Sequence, residues 1–225
     1  QNKKMDPGGN IMVSSKTIGR LSQYRRLLQN LLGDGREFVF SHELATMAGG
    51  TAAQVRRDVM AVGHLGSPSK GYGVSALLGS IADYLDGADI LGVALVGVGN
   101  LGRALLAYFV GRHPTLELKA AFDCDPAKIG RVIHGCRCLP MEEMARVVEE
   151  ERIKVGVITV PAEDAQRVAT VLWQAGVLGI VNFAPVRLWT PASVHVEQID
   201  LTTVLEQAAF FARRQDKDAG KEVGR

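Results

Sequence analysis

The sequence predicts an α/β protein in two main parts: a helical N-terminal unit over residues 17–80 and a parallel-sheet domain over residues 81–199. A flexible tail over 1–16 precedes them, and a last helix with its tail over 200–225 follows. Three observations carry this division. Apolar residues recur at helical spacing up to about residue 88, then gather into strand-like runs from Ile90 onward. Those runs alternate with helical stretches, the pattern of strands paired in parallel through crossover helices. The charge divides at nearly the same place. Residues 1–80 hold ten Lys/Arg against five Asp/Glu, an excess of five positive charges, whereas residues 81–225 hold sixteen against nineteen, an excess of three negative.

The first helix is marked by Ile18, Leu21, Leu28 and Leu31, widened by Leu27 and Leu32, and "GDGR" at 33–36 stops it. "SHELATMA" (41–48) opens on Ser41, a good N-cap, and "GG" at 49–50 supplies a turn. Thr51-x-x-Gln54 has capping-box spacing and starts a third helix with Val55, Val59 and Val62 on its buried side. Two helices joined by a glycine turn after a longer helix read as helix-turn-helix. "GSPSKGYGV" (66–74) suits the short hairpin that would make the unit a winged helix, and residues 75–88 form a connecting helix. At 100° per residue, Arg57 and Ala53 face away from the buried valines, flanked by Arg56, Met60 and Gln54. Arg and Gln match guanine and adenine edges, so Gln54, Arg56 and Arg57 are expected to face double-stranded DNA. Lys70 and Tyr72 in the wing are expected to reach phosphate or a minor groove. A solvated basic face would explain the arginines alone; turn, cap, wing and local charge together favour DNA.

In the second part, strands are predicted over 90–97, 116–123, 154–160 and 176–183, with helices near 101–112, 140–151 and 163–175. A short strand near 194–199 and a helix over about 200–215 complete it. The first strand runs into Gly97-x-Gly99-x-x-Gly102 and then a helix, the context that gives this spacing meaning as a dinucleotide fingerprint of a Rossmann domain. The first glycine permits the tight turn, the second the approach of a diphosphate, the third close helix packing. A helix N-terminus then offers N–H groups and partial positive charge to the diphosphate. Asp123 ends the next strand, 26 residues after Gly97, where an acid accepts from a ribose 2′-hydroxyl and repels a 2′-phosphate. The expected ligand is NADH or NAD+. It would be held by Gly97, Val98, Gly99, Asn100, Leu101, Gly102 and Asp123. Thr159, Val160, Pro161, Asn182 and Phe183 join them from the ends of later strands. Lys128 and Arg131 are the candidates for a 2′-phosphate should that preference fail.

A dehydrogenase needs a substrate domain and a proton-transfer group beside the nicotinamide. After the fourth strand only about 40 residues remain, and His113, His134 and His195 sit in no catalytic run, so no enzyme is expected; the alternative is a short NAD-dependent oxidoreductase with an N-terminal adaptor domain. Cys124, Cys136 and Cys138 are an odd count that does not suggest a disulfide framework, and Cys136-x-Cys138 alone makes a poor metal site, so no metal is expected. No apolar run reaches the roughly 18 residues of a membrane span, and no secretion-like leader is visible, so the chain is read as cytoplasmic.

Several stretches together resemble the Rex family of redox-sensing repressors: "QVRRDV" (54–59), "GYGV" (71–74), "VGVGNLGRALL" (96–106), "AFDCDPAKIG" (121–130), "ITVPA" (158–162) and "NFAPVRL" (182–188). The resemblance runs from Thr17 to Arg214. It implies a homodimer that binds a palindromic operator, is released by NADH, and exchanges its C-terminal helix with its partner. It also implies an interdomain coupling set of arginine, tyrosine and aspartate, matched here by Arg20, Tyr108 and Asp200. "LTTVLEQAAFFARR" (201–214) keeps an apolar face of Val204, Leu205, Ala208 and Phe211 for the exchanged helix. One departure stands out: where relatives carry a Lys-Arg pair in the wing, this chain has Ser67-Pro68.

Overall fold

The computed structural model describes residues 14–87, 89–109, 111 and 115–222, and the chain divides into two compact units between Asp89 and Ile90. The first unit contains α1 (Ser15–Gly33), β1 (Phe38–Val39), α2 (Ser41–Ala48), α3 (Ala52–Ala61), β2 (Tyr72–Gly73) and α4 (Val74–Leu85). The Ser14 hydroxyl accepts the Thr17 N–H at 3.3 Å and caps α1. Of the tail expected over 1–16, residues 1–13 lie outside the described residues, and Ser15 and Lys16 already belong to the helix. Leu21, Tyr24 and Leu28 turn inward from α1 onto Leu44 and Ala45 of α2, Val55 and Val59 of α3, and Leu77 and Ile81 of α4. The boundary expected after residue 80 therefore cuts through α4. The correct division lies after the helix, because its apolar face belongs to the first core.

Local caps differ from the sequence reading in two places. Phe40, not Ser41, occupies the N-cap of α2, and the Glu43 carboxylate reaches back to accept its N–H at 2.7 Å. Thr51 caps α3 as expected, accepting the Gln54 N–H at 3.2 Å. The Gln54 side chain does not return the favour, since its amide is engaged elsewhere. The wing is narrow. Ser67 and Gly71 exchange both backbone hydrogen bonds at 2.8 Å. β2 then pairs antiparallel with β1, which comes from ahead of α2.

The second unit contains β3 (Leu91–Val96), α5 (Asn100–Phe109), β4 (Leu116–Asp123), β5 (Val132–Ile133), β6 (Cys136–Pro140), α6 (Met144–Glu150), β7 (Ile153–Ile158), α7 (Ala162–Gln174), β8 (Gly179–Asn182), β9 (His195–Gln198) and α8 (Leu201–Glu222). The strands form one sheet in the order β5-β6-β4-β3-β7-β8-β9, parallel throughout except for the β5–β6 pair. Central strand β3 shows why both faces are covered. Ala94 and Val96 pack with Val168 and Leu172 of α7 and Val147 and Val148 of α6, whereas Val93 and Leu95 pack with Leu106 of α5. This period-two division explains the continuous apolar run in the sequence. The β5–β6 hairpin was not foreseen. His134 and Gly135, at φ 47° and 80°, make a two-residue turn between Ile133 and Cys136.

Helix α8 carries apolar residues that the chain leaves uncovered: Leu201, Val204, Leu205, Phe210 and Phe211 are 53–70% exposed. Among the described residues no helix is long and apolar enough to cross a membrane.

Candidate functional site

The sheet order places β4 and β7 on opposite sides of β3, so the connection leaving β3 (to β4) and the one leaving β7 (to β8) run in opposite directions. Such a switch point opens a crevice for ligands. Gly97 begins the loop there and donates its N–H to Phe122 O at 2.8 Å. From β7, the Thr159 N–H donates to Val96 O at 2.9 Å, and the Thr159 hydroxyl lies within hydrogen-bond reach of Val96 O (3.0 Å) and Gly97 O (2.6 Å). These contacts fix the loop to two strands at once. Gly97 has φ 97°, and a Cβ there would lie 2.8 Å from Thr159 O. At Gly102 a Cβ would meet Gly97 O at 2.1 Å, because α5 backs directly onto the loop. At Gly99 a Cβ would meet nothing within 4 Å. The first and third glycines are thus required by the protein's own backbone, while the second faces open space.

That space is a pocket of about 230 Å3. Gly97, Gly99, Asp123, Thr159, Val160 and Pro161 line it, all expected from the sequence, together with Lys128. Cys124, Met141, Asp164, Arg167 and Val168 also line it and were missed. Asp164 and Arg167 come from the first turns of α7, next to Pro161; extending the site one helical turn past the strand end would have found them. Asp123 is buried, and its carboxylate is heavily used. One oxygen accepts the Val98 N–H at 2.7 Å and the Lys128 ammonium at 3.0 Å; the other accepts the Asp125 N–H at 2.8 Å. Burial pushes this carboxyl up, but the Asp125 N–H, Lys128 and the Val98 N–H outweigh it and hold it below its ordinary value. An ionised carboxylate has about four acceptor positions, so one remains for a further donor.

The other expected ligand residues divide. Val98 is fully buried and contributes only its backbone N–H. Asn100 and Leu101 open α5, where the first N–H groups have no partner within the helix. Asn182 is corrected to a structural role. It is fully buried, its amide donates to Val186 O (2.8 Å), Gln198 Oε1 (2.8 Å) and Ala184 O (3.2 Å), and its oxygen accepts the Ala184 N–H (3.0 Å). Every polar group is consumed in shaping the turn after β8. Phe183 packs against the α5-side core, and neither residue lines the pocket. Burial pushes the Cys136 thiol up to about 11 and raises Cys138 as well, so neither is a ready nucleophile. His134 lies in the hairpin turn and His195 pairs with Glu197 at 2.8 Å, while His113 lies outside the described residues.

In the first unit, Ala53, Arg56, Arg57 and Met60 form the exposed face of α3. Arg56 and Met60 line a groove with Phe40, Leu65 and the wing residues Ser67 and Pro68. Lys70 stands with its ammonium 5.9 Å from the Phe38 ring centroid. Two of the expected DNA contacts are engaged within the unit. Tyr72 is only 8% exposed and belongs to the core, where it anchors the wing from beneath. Gln54 is not a free reader: its amide donates to Asp58 at 2.9 Å and accepts from Arg57 at 3.0 Å.

The three coupling residues also have partners within their own units. Arg20 holds Asp58 through two hydrogen bonds, of 2.6 and 2.8 Å. Asp200 caps α8, accepting the Thr203 N–H at 3.0 Å and the Thr203 hydroxyl at 2.7 Å. Tyr108 is exposed and meets Phe109 edge-on.

A winged helix joined to a Rossmann domain with an open glycine cradle defines a class: transcriptional regulators that respond to a nucleotide ligand. Comparison with known proteins narrows it. A family model described as "CoA binding domain" matches residues 89–186, and one described as "Putative DNA-binding protein N-terminus" matches residues 12–59. The chain is 42% identical to the redox-sensing transcriptional repressor Rex of Carboxydothermus hydrogenoformans, over 90% of this chain and 97% of the relative. It is 38% identical to the Rex of Lactobacillus gasseri, over 94% and 99%. The crystal structure of RSP, a Rex-family repressor, superposes with a TM-score of 0.83 at 29% identity, covering 94% of this chain and 99% of that one. RSP has also been solved with β-NAD+ and operator DNA, and with β-NADH. The chain belongs to the Rex family of redox-sensing transcriptional repressors.

Proposed function

We propose that this chain is a homodimeric repressor that binds a palindromic operator through its winged helix and releases it when NADH occupies the glycine pocket. The observation that carries the reading is the open space over Gly99, lined on one side by the Gly97–Gly99 loop that leads into α5 and on the other by Asp123. The residues fit a dinucleotide. The first N–H groups of α5 suit a diphosphate. The remaining acceptor position of Asp123 suits a ribose hydroxyl, and Thr159, Val160 and Pro161 complete the wall. The dinucleotide supplies a signal, since its nicotinamide ring is cationic when oxidised and neutral when reduced. No turnover is assigned to the chain.

Arg56, Arg57 and Lys70 are the DNA-facing cations. A two-fold dimer matches a palindromic site, because each subunit reads one half. The uncovered apolar residues of α8 are the surface such a dimer would bury. Tyr108 and Asp200 are the coupling residues carried forward. Arg20 is bound to Asp58 through Nε and Nη2, so it would join them through Nη1 or by giving up those bonds. The deciding experiment is a gel shift on a palindromic operator library, with and without NADH and with coenzyme A as control. The reading expects retention without ligand, release by NADH, and no response to coenzyme A. Release by coenzyme A alone would assign the pocket to another nucleotide.

A further inference from the structure

We propose that Asp58, on the buried face of α3, is a positioning residue that orients Arg57 for base reading through Gln54. This rests on the reading that the winged helix binds DNA. Asp58 is 3% exposed and faces α1. Its carboxylate accepts four hydrogen bonds: Arg20 Nε at 2.6 Å and the Tyr24 hydroxyl at 3.1 Å on one oxygen, Arg20 Nη2 at 2.8 Å and Gln54 Nε2 at 2.9 Å on the other. On the outer side, Gln54 Oε1 accepts Arg57 Nη2 at 3.0 Å. Arg20 is itself steadied by Thr17 Oγ1 at 3.0 Å. The chain of contacts runs from α1, through the buried carboxylate, to an exposed arginine on the reading face.

The direction of this chain is set by charge. An ionised carboxylate only accepts, so the Gln54 amide must turn its NH2 inward and its oxygen outward. The outward oxygen is then available for one guanidinium nitrogen, which fixes the heading of Arg57 and leaves its other nitrogens free. A guanidinium held in this way loses less conformational freedom on meeting a guanine than one swinging in water. Asparagine at 58 would remove the constraint: it both donates and accepts, so Gln54 could turn either way and Arg57 would lose its fixed partner.

The test is a double-mutant cycle on operator affinity with Asp58→Asn and Arg57→Ala in the full-length protein, read against a panel of single-base operator variants. If Asp58 acts through Arg57, Asp58→Asn weakens the parent operator by about tenfold but costs little once Arg57 is gone. It should also relax discrimination at the same base pairs where Arg57→Ala relaxes it, with NADH affinity unchanged. Additive losses, or a uniform loss across all operator variants, would overturn the proposal and leave Asp58 as a clamp between α1 and α3. Should Asp58→Asn not fold, Gln54→Met removes the amide link while keeping the Arg20–Asp58–Tyr24 contacts, and the same cycle against Arg57→Ala decides. Failure of the parent protein to bind any operator would instead remove the DNA reading and this inference with it.

Discussion

Gly99 and Gly102 stand three residues apart and should respond in opposite ways to substitution. Gly99→Glu places its Cβ in open space and directs a carboxylate toward the pocket, so NADH binding should vanish by calorimetry while the melting temperature stays near that of the parent. Gly102→Ala forces a Cβ onto Gly97 O and should cost about 1–3 kcal/mol of stability in urea unfolding. Asp123 is expected to favour NADH over NADPH at least tenfold, about 1.4 kcal/mol. Competition for a fluorescent dinucleotide would measure this, and equal binding would transfer the ribose end of the pocket to Lys128. Asp58 gives a pH prediction. Burial pushes its carboxyl up, but Arg20, Gln54 and Tyr24 outweigh this and hold it below the ordinary value. Its stabilising contribution is therefore complete above the unfolded pKa, near 3.9, and is lost as pH falls through the lower folded value. Stability of the first unit should drop on acidification below about pH 4, more steeply in the parent than in Asp58→Asn. The glycines and Asp123 were legible because fingerprint spacing is local in sequence. Asp58 was not. It sits among exposed arginines in "QVRRDV", and only the arrival of Arg20 and Tyr24 from another helix makes it buried.

Among the elements, α8 poses the clearest demand. Its large apolar side chains are more than half exposed, and they are the surface that the proposed dimer would cover. Leu205→Glu combined with Phe211→Glu should shift the protein from dimer to monomer in sedimentation at micromolar concentration and weaken operator binding with it. A parent protein that is monomeric at that concentration would remove α8 from the assembly. The sequence showed every helix and five of the six longer parallel strands, because their apolar periods are long and regular. It did not show β6, whose parallel register beside β4 depends on a hairpin only two residues long on its outer arm. Nor did it show the β1–β2 ladder. Two-residue strands leave no period to read, and their pairing joins segments more than thirty residues apart.

For the molecule as a whole, the proposed function requires that the two units exchange free energy. A ligand shifts an equilibrium only by its differential affinity for the two states. If NADH weakens operator binding by some factor, saturating operator must weaken NADH binding by the same factor. Calorimetry of NADH with and without a saturating operator duplex measures this directly. Asp200→Ala should leave the affinity for NADH within a few fold and reduce the mutual factor. Independence of the two ligands in the parent would mean two unrelated domains on one chain. This property was not legible in either unit alone. The sequence named both ligands, but coupling belongs to contacts that form in one state and open in another.

The emptiness over Gly99 has an evolutionary consequence. Every glycine codon becomes an aspartate or glutamate codon by one base change at its middle position. Under the proposed function, a lineage would therefore lose its sense of the cell's redox state in one mutational step while keeping a folded repressor that still occupies its operators. Selection for permanent silencing would find such signal-blind alleles at this codon far sooner than at Gly97 or Gly102, where the same change damages the fold first.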